Sequence, residues 1–228
     1  MPDTAAAPAV AADGLYFRYP SNVAADDVLR GASLAVAAGE IVLLRGYSGS
    51  GKTTLLSVLA GLLSPARGTV TVTGTDLARL DRAGRARLRL ERIGFVFQRF
   101  HLIAALRARE NVELVLSAGG MTRRDARRRA FDALDALGLG TKTERYPREL
   151  SGGEQQRVGI ARAIAKRPAV IFADEPTSSL DTESGAETTA LLCNLARNHG
   201  TAVVIASHDE RIVPFVDRVV GIADGRCA

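Results

Sequence analysis

The sequence predicts an α/β fold: a mostly parallel sheet bearing a phosphate-binding loop, a small antiparallel β layer beside it, and a helical lobe inserted into the core. Three observations predict it. The apolar run Ile41-Val42-Leu43-Leu44 enters Gly46-Tyr47-Ser48-Gly49-Ser50-Gly51-Lys52-Thr53, which is followed by the helix-forming residues 55–60. Two later apolar runs, residues 169–173 and 202–207, end in Asp174-Glu175 and His208-Asp209. Residues 102–147 carry no strand pattern.

Composition bounds the rest. With 228 residues, 46% hydrophobic and 24% charged, the chain can bury a substantial core as one domain with an inserted lobe. Its net charge of +5 is carried almost wholly by arginine, since only Lys52, Lys142 and Lys166 are lysines. The arginines gather at residues 79–92 and 123–129, without interleaved aromatic side chains to stack bases, so solvated helix faces are expected and no nucleic acid. Cys193 and Cys227 form no metal-like spacing and favour a reducing, cytosolic compartment. No apolar run approaches the ~18 residues of a membrane span, so if the protein works at a membrane, another chain crosses it.

In chain order, residues 1–12 are small, with two prolines and little periodicity, and read as a mobile tail. Residues 15–19, 32–36, 41–44 and 68–74 read as strands that together form the small, mostly antiparallel layer. In G-x-x-x-x-G-K-T the glycines turn successive N–H groups inward around phosphate oxygens, and the helix that follows aims its positive end at them. Lys52 reaches the β and γ phosphates and Thr53 holds Mg2+. Tyr19 is the aromatic to set against an adenine ring, with core packing of Tyr16 and Phe17 as the competing use of this stretch.

Residues 77–91 are helix-like, basic and broken by Gly84, and residues 93–97 form a strand ending in Gln98. That amide either ligates Mg2+ or orients water, or simply ends a strand. Residues 102–116 and 122–137 read as helices, the second capped by Thr122, presenting Ala130, Phe131, Leu134 and Leu137 on one face and stopped by Gly138. The strand-free lobe ends near Tyr146-Pro147. Ser151-Gly152-Gly153-Glu154 opens the next helix, with the spacing of a capping box and with backbone donors suited to an anion.

Asp174 and Glu175 follow a buried strand at the end where open parallel sheets hold ligands, so Asp174 suits Mg2+ and Glu175 faces the γ-phosphate. Residues 183–198 form an amphipathic helix ending near Gly200, with Cys193 on its buried side. His208, at a neighbouring strand end, is a candidate γ-phosphate contact. A helix over 210–216 and a strand over 219–223 complete the reading.

Taken together, these motifs resemble the nucleotide-binding subunit of ATP-binding cassette (ABC) transporters, and the likeness runs from Leu15 to Arg226. Residues 46–53 resemble its Walker A loop, Gln98 its Q-loop, and residues 150–156 its signature sequence. Residues 170–174 resemble Walker B, Glu175 the general-base position, Ser179-Leu180-Asp181 the D-loop and His208 the switch histidine. Phe95-Val96-Phe97-Gln98, Phe100-His101-Leu102 and Glu110-Asn111-Val112 are similar to the branch serving lipoprotein release and macrolide export. Tyr47 departs from the smaller residues or proline common there, and Ser178-Ser179 from the usual spelling before Leu-Asp; neither removes a donor or carboxylate.

The resemblance implies a P-loop NTPase core over residues 13–98 and 161–228 and a helical, signature-bearing subdomain over 99–160. It implies ATP and Mg2+, with Gly46, Ser48, Gly49, Ser50, Gly51, Lys52, Thr53 and Thr54 around the phosphates and Tyr19 on adenine. Thr53, Gln98 and Asp174 serve the metal, and Glu175, His208, Lys52 and Gln98 the chemistry. Ser151, Gly152, Gly153 and Glu154 act on the nucleotide of a second copy, in a head-to-tail dimer closed by ATP. The expected partner is an integral membrane permease, met through residues 99–106 at the cytoplasmic face, in export or cell-envelope maintenance. The alternatives are an importer subunit, which the short C-terminus argues against, and a soluble ATPase acting on nucleic acid, which would usually carry two cassettes or long coiled coils.

Overall fold

The computed structural model describes residues 7–20 and 27–228. Its first half runs β1 (Val10–Phe17), β2 (Leu29–Val36), β3 (Ile41–Arg45), α1 (Lys52–Leu59), β4 (Arg67–Val72), β5 (Thr75–Asp76), α2 (Arg82–Arg92) and β6 (Ile93–Val96). The second half runs α3 (Ala108–Ala118), α4 (Arg123–Asp135), α5 (Gly152–Ile164), β7 (Val170–Asp174), α6 (Thr182–His199), β8 (Ala202–Ser207), β9 (Arg218–Ala223) and β10 (Arg226–Cys227).

Two sheets result. One is antiparallel, in the order β2-β1-β4-β5; the other has six strands in the order β10-β9-β3-β8-β7-β6, parallel except for β10. The run 41–44, expected in the antiparallel layer, belongs instead to this second sheet as part of β3. Its residues from Ile41 to Leu44 are all buried, because the strand is covered on both faces. Val42 and Leu44 pack with Phe172, Val204 and α1 in one core, which also receives the antiparallel sheet. Ile41 and Leu43 pack with Ile171, Val203, Ile205 and the helices α3 to α6 in the other.

Several boundaries differ from expectation. β1 starts at Val10, inside the stretch 1–12 read as a tail, because Val10 and Ala12 are buried between β2 and β4; residues 1–6 lie outside the described residues. Gly84 does not break a helix: it sits in the first turn of α2, where its N–H donates to the Asp81 carboxylate at 2.7 Å. The helix expected from 102 begins at Ala108, and Phe131 is exposed where a core position was expected. The stretch 210–215 is a 3-10 helix, since Pro214 lacks the N–H that an α-helix needs. The expected caps are present: Thr122 accepts from Asp125 N–H at 3.2 Å, and Gly200 closes α6 at a φ of 63°.

Three arginines of the two clusters are tied to backbone. Arg85 donates to the Leu77 and Leu80 carbonyls at 3.0 and 3.2 Å, Arg89 to Gly61 at 2.8 Å, and Arg129 to Ala165 at 2.7 Å. These guanidiniums cap helix ends and loops, so part of the positive charge is structural.

Candidate functional site

Because β3, β8, β7 and β6 are consecutive parallel strands, their carboxyl ends share one rim. The loop after β3, Glu175 after β7, His208 after β8 and Gln98 after β6 thereby meet around a cleft of about 460 Å³, with Tyr47, Ser48, Gly49, Gly51, Lys52, Thr53 and Ser178 as its other walls.

The loop's shape follows from its glycines. Gly51 takes a φ of 103° as the N-cap of α1 and supplies no side-chain cap, so the first N–H groups of the helix remain available to an anion. A side chain at Gly46 would collide with the Ile222 carbonyl and with Ser50 Oγ. Lys52 lies largely buried, its Nζ donating to the carbonyls of Gly46 at 2.8 Å and Tyr47 at 3.1 Å, and 3.7 Å from Glu175 Oε1. Tyr47, the unusual residue of the loop, donates its phenol to the Asp224 carboxylate in the β9–β10 turn.

At the end of β7, Asp174 Oδ1 accepts a hydrogen bond from Thr53 Oγ1 at 3.0 Å. Burial pushes the Asp174 carboxyl above its ordinary value, with Glu175 adding to the rise, while Thr53 and Lys52 oppose it. A hydroxyl and a carboxylate side by side are hard oxygen donors; among the described residues no cluster of three His, Cys, Asp or Glu side chains offers a fuller cage. This donor pair fits a small divalent cation that takes its remaining ligands from water and phosphate.

Glu175 is held three times by the end of β8. Its N–H donates to the Ala206 carbonyl at 2.8 Å, its Oε2 accepts from Ser207 Oγ at 3.1 Å, and its Oε1 lies 3.1 Å from His208 Nδ1. Its φ of 43° is in the left-handed region, which costs a non-glycine residue roughly 1–2 kcal/mol.

Other predicted residues fall elsewhere. Tyr19 packs edge-on against Phe17 at 4.9 Å between ring centroids, its hydroxyl 3.2 Å from Thr54 Oγ1, and does not line the cleft. Ser151 caps α5 in the expected box with Glu154: Glu154 N–H donates to Ser151 Oγ at 3.3 Å, and Ser151 N–H to Glu154 Oε2 at 3.0 Å. Glu154 also pairs with Lys142, which lowers its carboxyl pKa, Ser151 N–H adding to the effect. None of residues 151–154 lines the cleft.

Three residues that matter here carried no signal of their own. Ser207 reads in sequence only as the end of the apolar run before His208. Asn111 served only as a mark of likeness, yet it is buried and bonds four backbone groups of residues 103–107. Arg162, a charge within the apolar stretch Ile160-Ala161-Arg162-Ala163-Ile164, donates to the carbonyls of His101 at 2.5 Å and Phe100 at 2.8 Å, both in left-handed backbone. It thus ties α5 to the loop after Gln98.

The family profile described as ABC transporter matches residues 29–178. The macrolide export ATP-binding/permease protein MacB of Escherichia coli (strain K12) and that of Shigella sonnei are each 46% identical over 207 residues, or 91% of this chain. The chain spans 32% of the length of those relatives. Among solved structures, a dimeric post-hydrolysis state of the ATP-binding cassette MJ0796 bound to ADP and Pi superposes with a TM-score of 0.87 at 36% identity, covering 95% of both chains. The cbiO1 protein of Clostridium perfringens, part of the ABC transporter complex cbiONQ, gives 0.87 at 28% identity, covering 97% of this chain and 87% of its own.

Proposed function

This chain belongs to the ABC transporter family, and from that premise we propose that it hydrolyses ATP to drive an integral membrane permease in export or cell-envelope maintenance. One observation carries the reading: Lys52, Gln98, Glu175 and His208 line a single cleft from which Ser151, Gly152, Gly153 and Glu154 are absent. Half a site is supplied here, and a second copy, arranged head to tail, supplies the other half. The dimeric state of the MJ0796 cassette supports association of two copies.

In this mechanism the N–H groups of residues 46–54 cradle the phosphates, and Lys52 leaves its two carbonyls to meet the β and γ oxygens. Tyr19 serves as the adenine platform. Thr53 Oγ1 and Asp174, already hydrogen-bonded to each other, would hold Mg2+ together with Gln98, and the bound ion would supply neutralisation of phosphate charge. Glu175 takes a proton from the attacking water. The new oxygen–phosphorus bond forms as the bond to the β-phosphate bridging oxygen breaks, giving ADP and inorganic phosphate, with Lys52 and His208 stabilising the charge that develops.

Replacing one bridging ligand by two that repel each other opens the dimer, and residues 99–106 pass the movement to the permease. No helix among the described residues is long and apolar enough to cross a membrane. With a permease as its partner, we place the chain peripherally, at the cytoplasmic face. The relatives are ATP-binding/permease proteins, which supports this partner. Binding of a fluorescent ATP analogue tests the loop: Lys52→Ala should lose it, and binding at parent affinity would remove Lys52 from the site.

A further inference from the structure

The two oxygens of the Glu175 carboxylate have partners of different kinds. Oε2 accepts from Ser207 Oγ at 3.1 Å, and Ser207 is fully buried at the last position of β8. Oε1 lies 3.1 Å from His208 Nδ1, on a side chain that is 71% exposed. We propose that Ser207 is a positioning residue that keeps hold of Oε2, so that Oε1 is the oxygen that meets the attacking water when His208 turns to the γ-phosphate. This inference rests on Glu175 being the general base.

The direction of the Ser207 bond is determined by its surroundings. A hydroxyl has one proton and two lone pairs. Ser207 Oγ accepts the Asp209 N–H at 3.1 Å, so an acceptor position is used and the proton is left for the carboxylate. The serine cannot drift, because β8 is flanked by β3 and β7, with Ser207 in register with Arg45 and the preceding Ala206 with Asp174. His208 is just beyond the strand and free to exchange partners.

Without the hydroxyl, the remaining side-chain hydrogen-bond and ion-pair partners of the carboxylate among the described residues are His208 and the Lys52 ammonium 3.7 Å away. Both are groups that the proposed mechanism sends to the γ-phosphate. The base would then lose its fixed aim at the moment of reaction, while the contacts that bind nucleotide, made by the loop and α1, would be untouched. Hydrogen bonds to a carboxylate are among the stronger ones, and small misplacements of a reacting group can slow a reaction about 100-fold.

Steady-state ATP hydrolysis by the full chain tests this, with Ser207→Ala, Ser207→Thr, the near-isosteric Ser207→Cys and Glu175→Gln compared beside the parent. Thermal melting and fluorescent-nucleotide binding establish that each variant is folded, and the cysteine variant stands in if alanine destabilises the strand. The inference requires Ser207→Ala or Ser207→Cys to lower kcat roughly 10- to 100-fold with KM changed less than about twofold, and Ser207→Thr to stay near parent. It is overturned if Ser207→Ala and Ser207→Cys keep parent kcat, if threonine is as slow as alanine, or if KM rises in step with the loss. Glu175→Gln separates the layers. If it is slow while Ser207→Ala is not, this inference alone falls; if it turns over at parent rate, the general-base reading falls and takes this one with it.

Discussion

Replacing Asn111 by alanine should loosen residues 103–107 while sparing the nucleotide cleft. Asn111 Oδ1 accepts the Ile103 N–H at 2.8 Å, and Nδ2 faces the carbonyls of Ile103, Leu106 and Arg107 at 3.2, 3.0 and 3.1 Å. Two amide protons serve three carbonyls, so at most three full hydrogen bonds are at stake. At about 1 kcal/mol net each, with water replacing part of the loss near the exposed Ile103, Asn111→Ala should cost about 2–3 kcal/mol. For a chain of this size that lowers Tm by roughly 4–12 °C. Thermal unfolding measures the total, and amide hydrogen exchange at Ile103 and Leu106 locates it. ATP turnover by the isolated chain should stay within about twofold, because none of these residues lines the cleft, whereas transport driven through the proposed permease contact should fall. A Tm within about 1 °C of the parent, with unchanged exchange at Ile103, would refute the claim that Asn111 shapes this loop.

Glu175→Gln should retain nucleotide binding and lose at least about 100-fold in turnover, read as phosphate release. Asp174→Asn keeps an acceptor for Thr53 and removes a charge that burial disfavours. The folded carboxyl titrates above the unfolded one, so its contribution is present at acid pH and lost as pH rises; the variant should melt higher at neutral pH, gain nothing well below the ordinary aspartate range, and lose Mg2+-dependent turnover. Burial lowers the Lys166 ammonium to about 8, against about 10.4 for an ordinary lysine. Between those values the unfolded chain holds more protons, so parent stability should rise with pH there, and a melting series on Lys166→Met should lack that part of the rise.

The parts of the site legible in sequence were those whose residue type and spacing are dictated by local chemistry. The glycine spacing of 46–51, the paired acids 174–175 and the capping box at 151–154 each state their geometry within a few residues. What the sequence concealed depends on contacts between distant segments. The run 41–44 reads as part of the antiparallel layer because an apolar run does not reveal which strands flank it; that is determined by β8 and β9, more than 150 residues further on. Arg162 is a lone charge in an apolar stretch, Ser207 closes an apolar run before His208, and Asn111 follows Arg109 and Glu110, so nothing local distinguishes them. Their partners, the loop 100–107 and Glu175, are reached only through the fold.

The central claim, that each site is shared between two copies, is tested most directly by mixing two inactive variants. Lys52→Ala disables the loop. Gly153→Asp places a negative charge at the signature turn, where a side chain's Cβ meets nothing nearer than Ser184 at 3.5 Å and an acid in the first helical turn is tolerated. Each variant alone should hydrolyse ATP at background rate. In a mixed dimer, the loop of the Gly153→Asp copy faces the intact signature of the Lys52→Ala copy, so the mixture should regain ATP hydrolysis. A mixture as inactive as its components, with both variants folded and associating with the parent, would contradict the shared site.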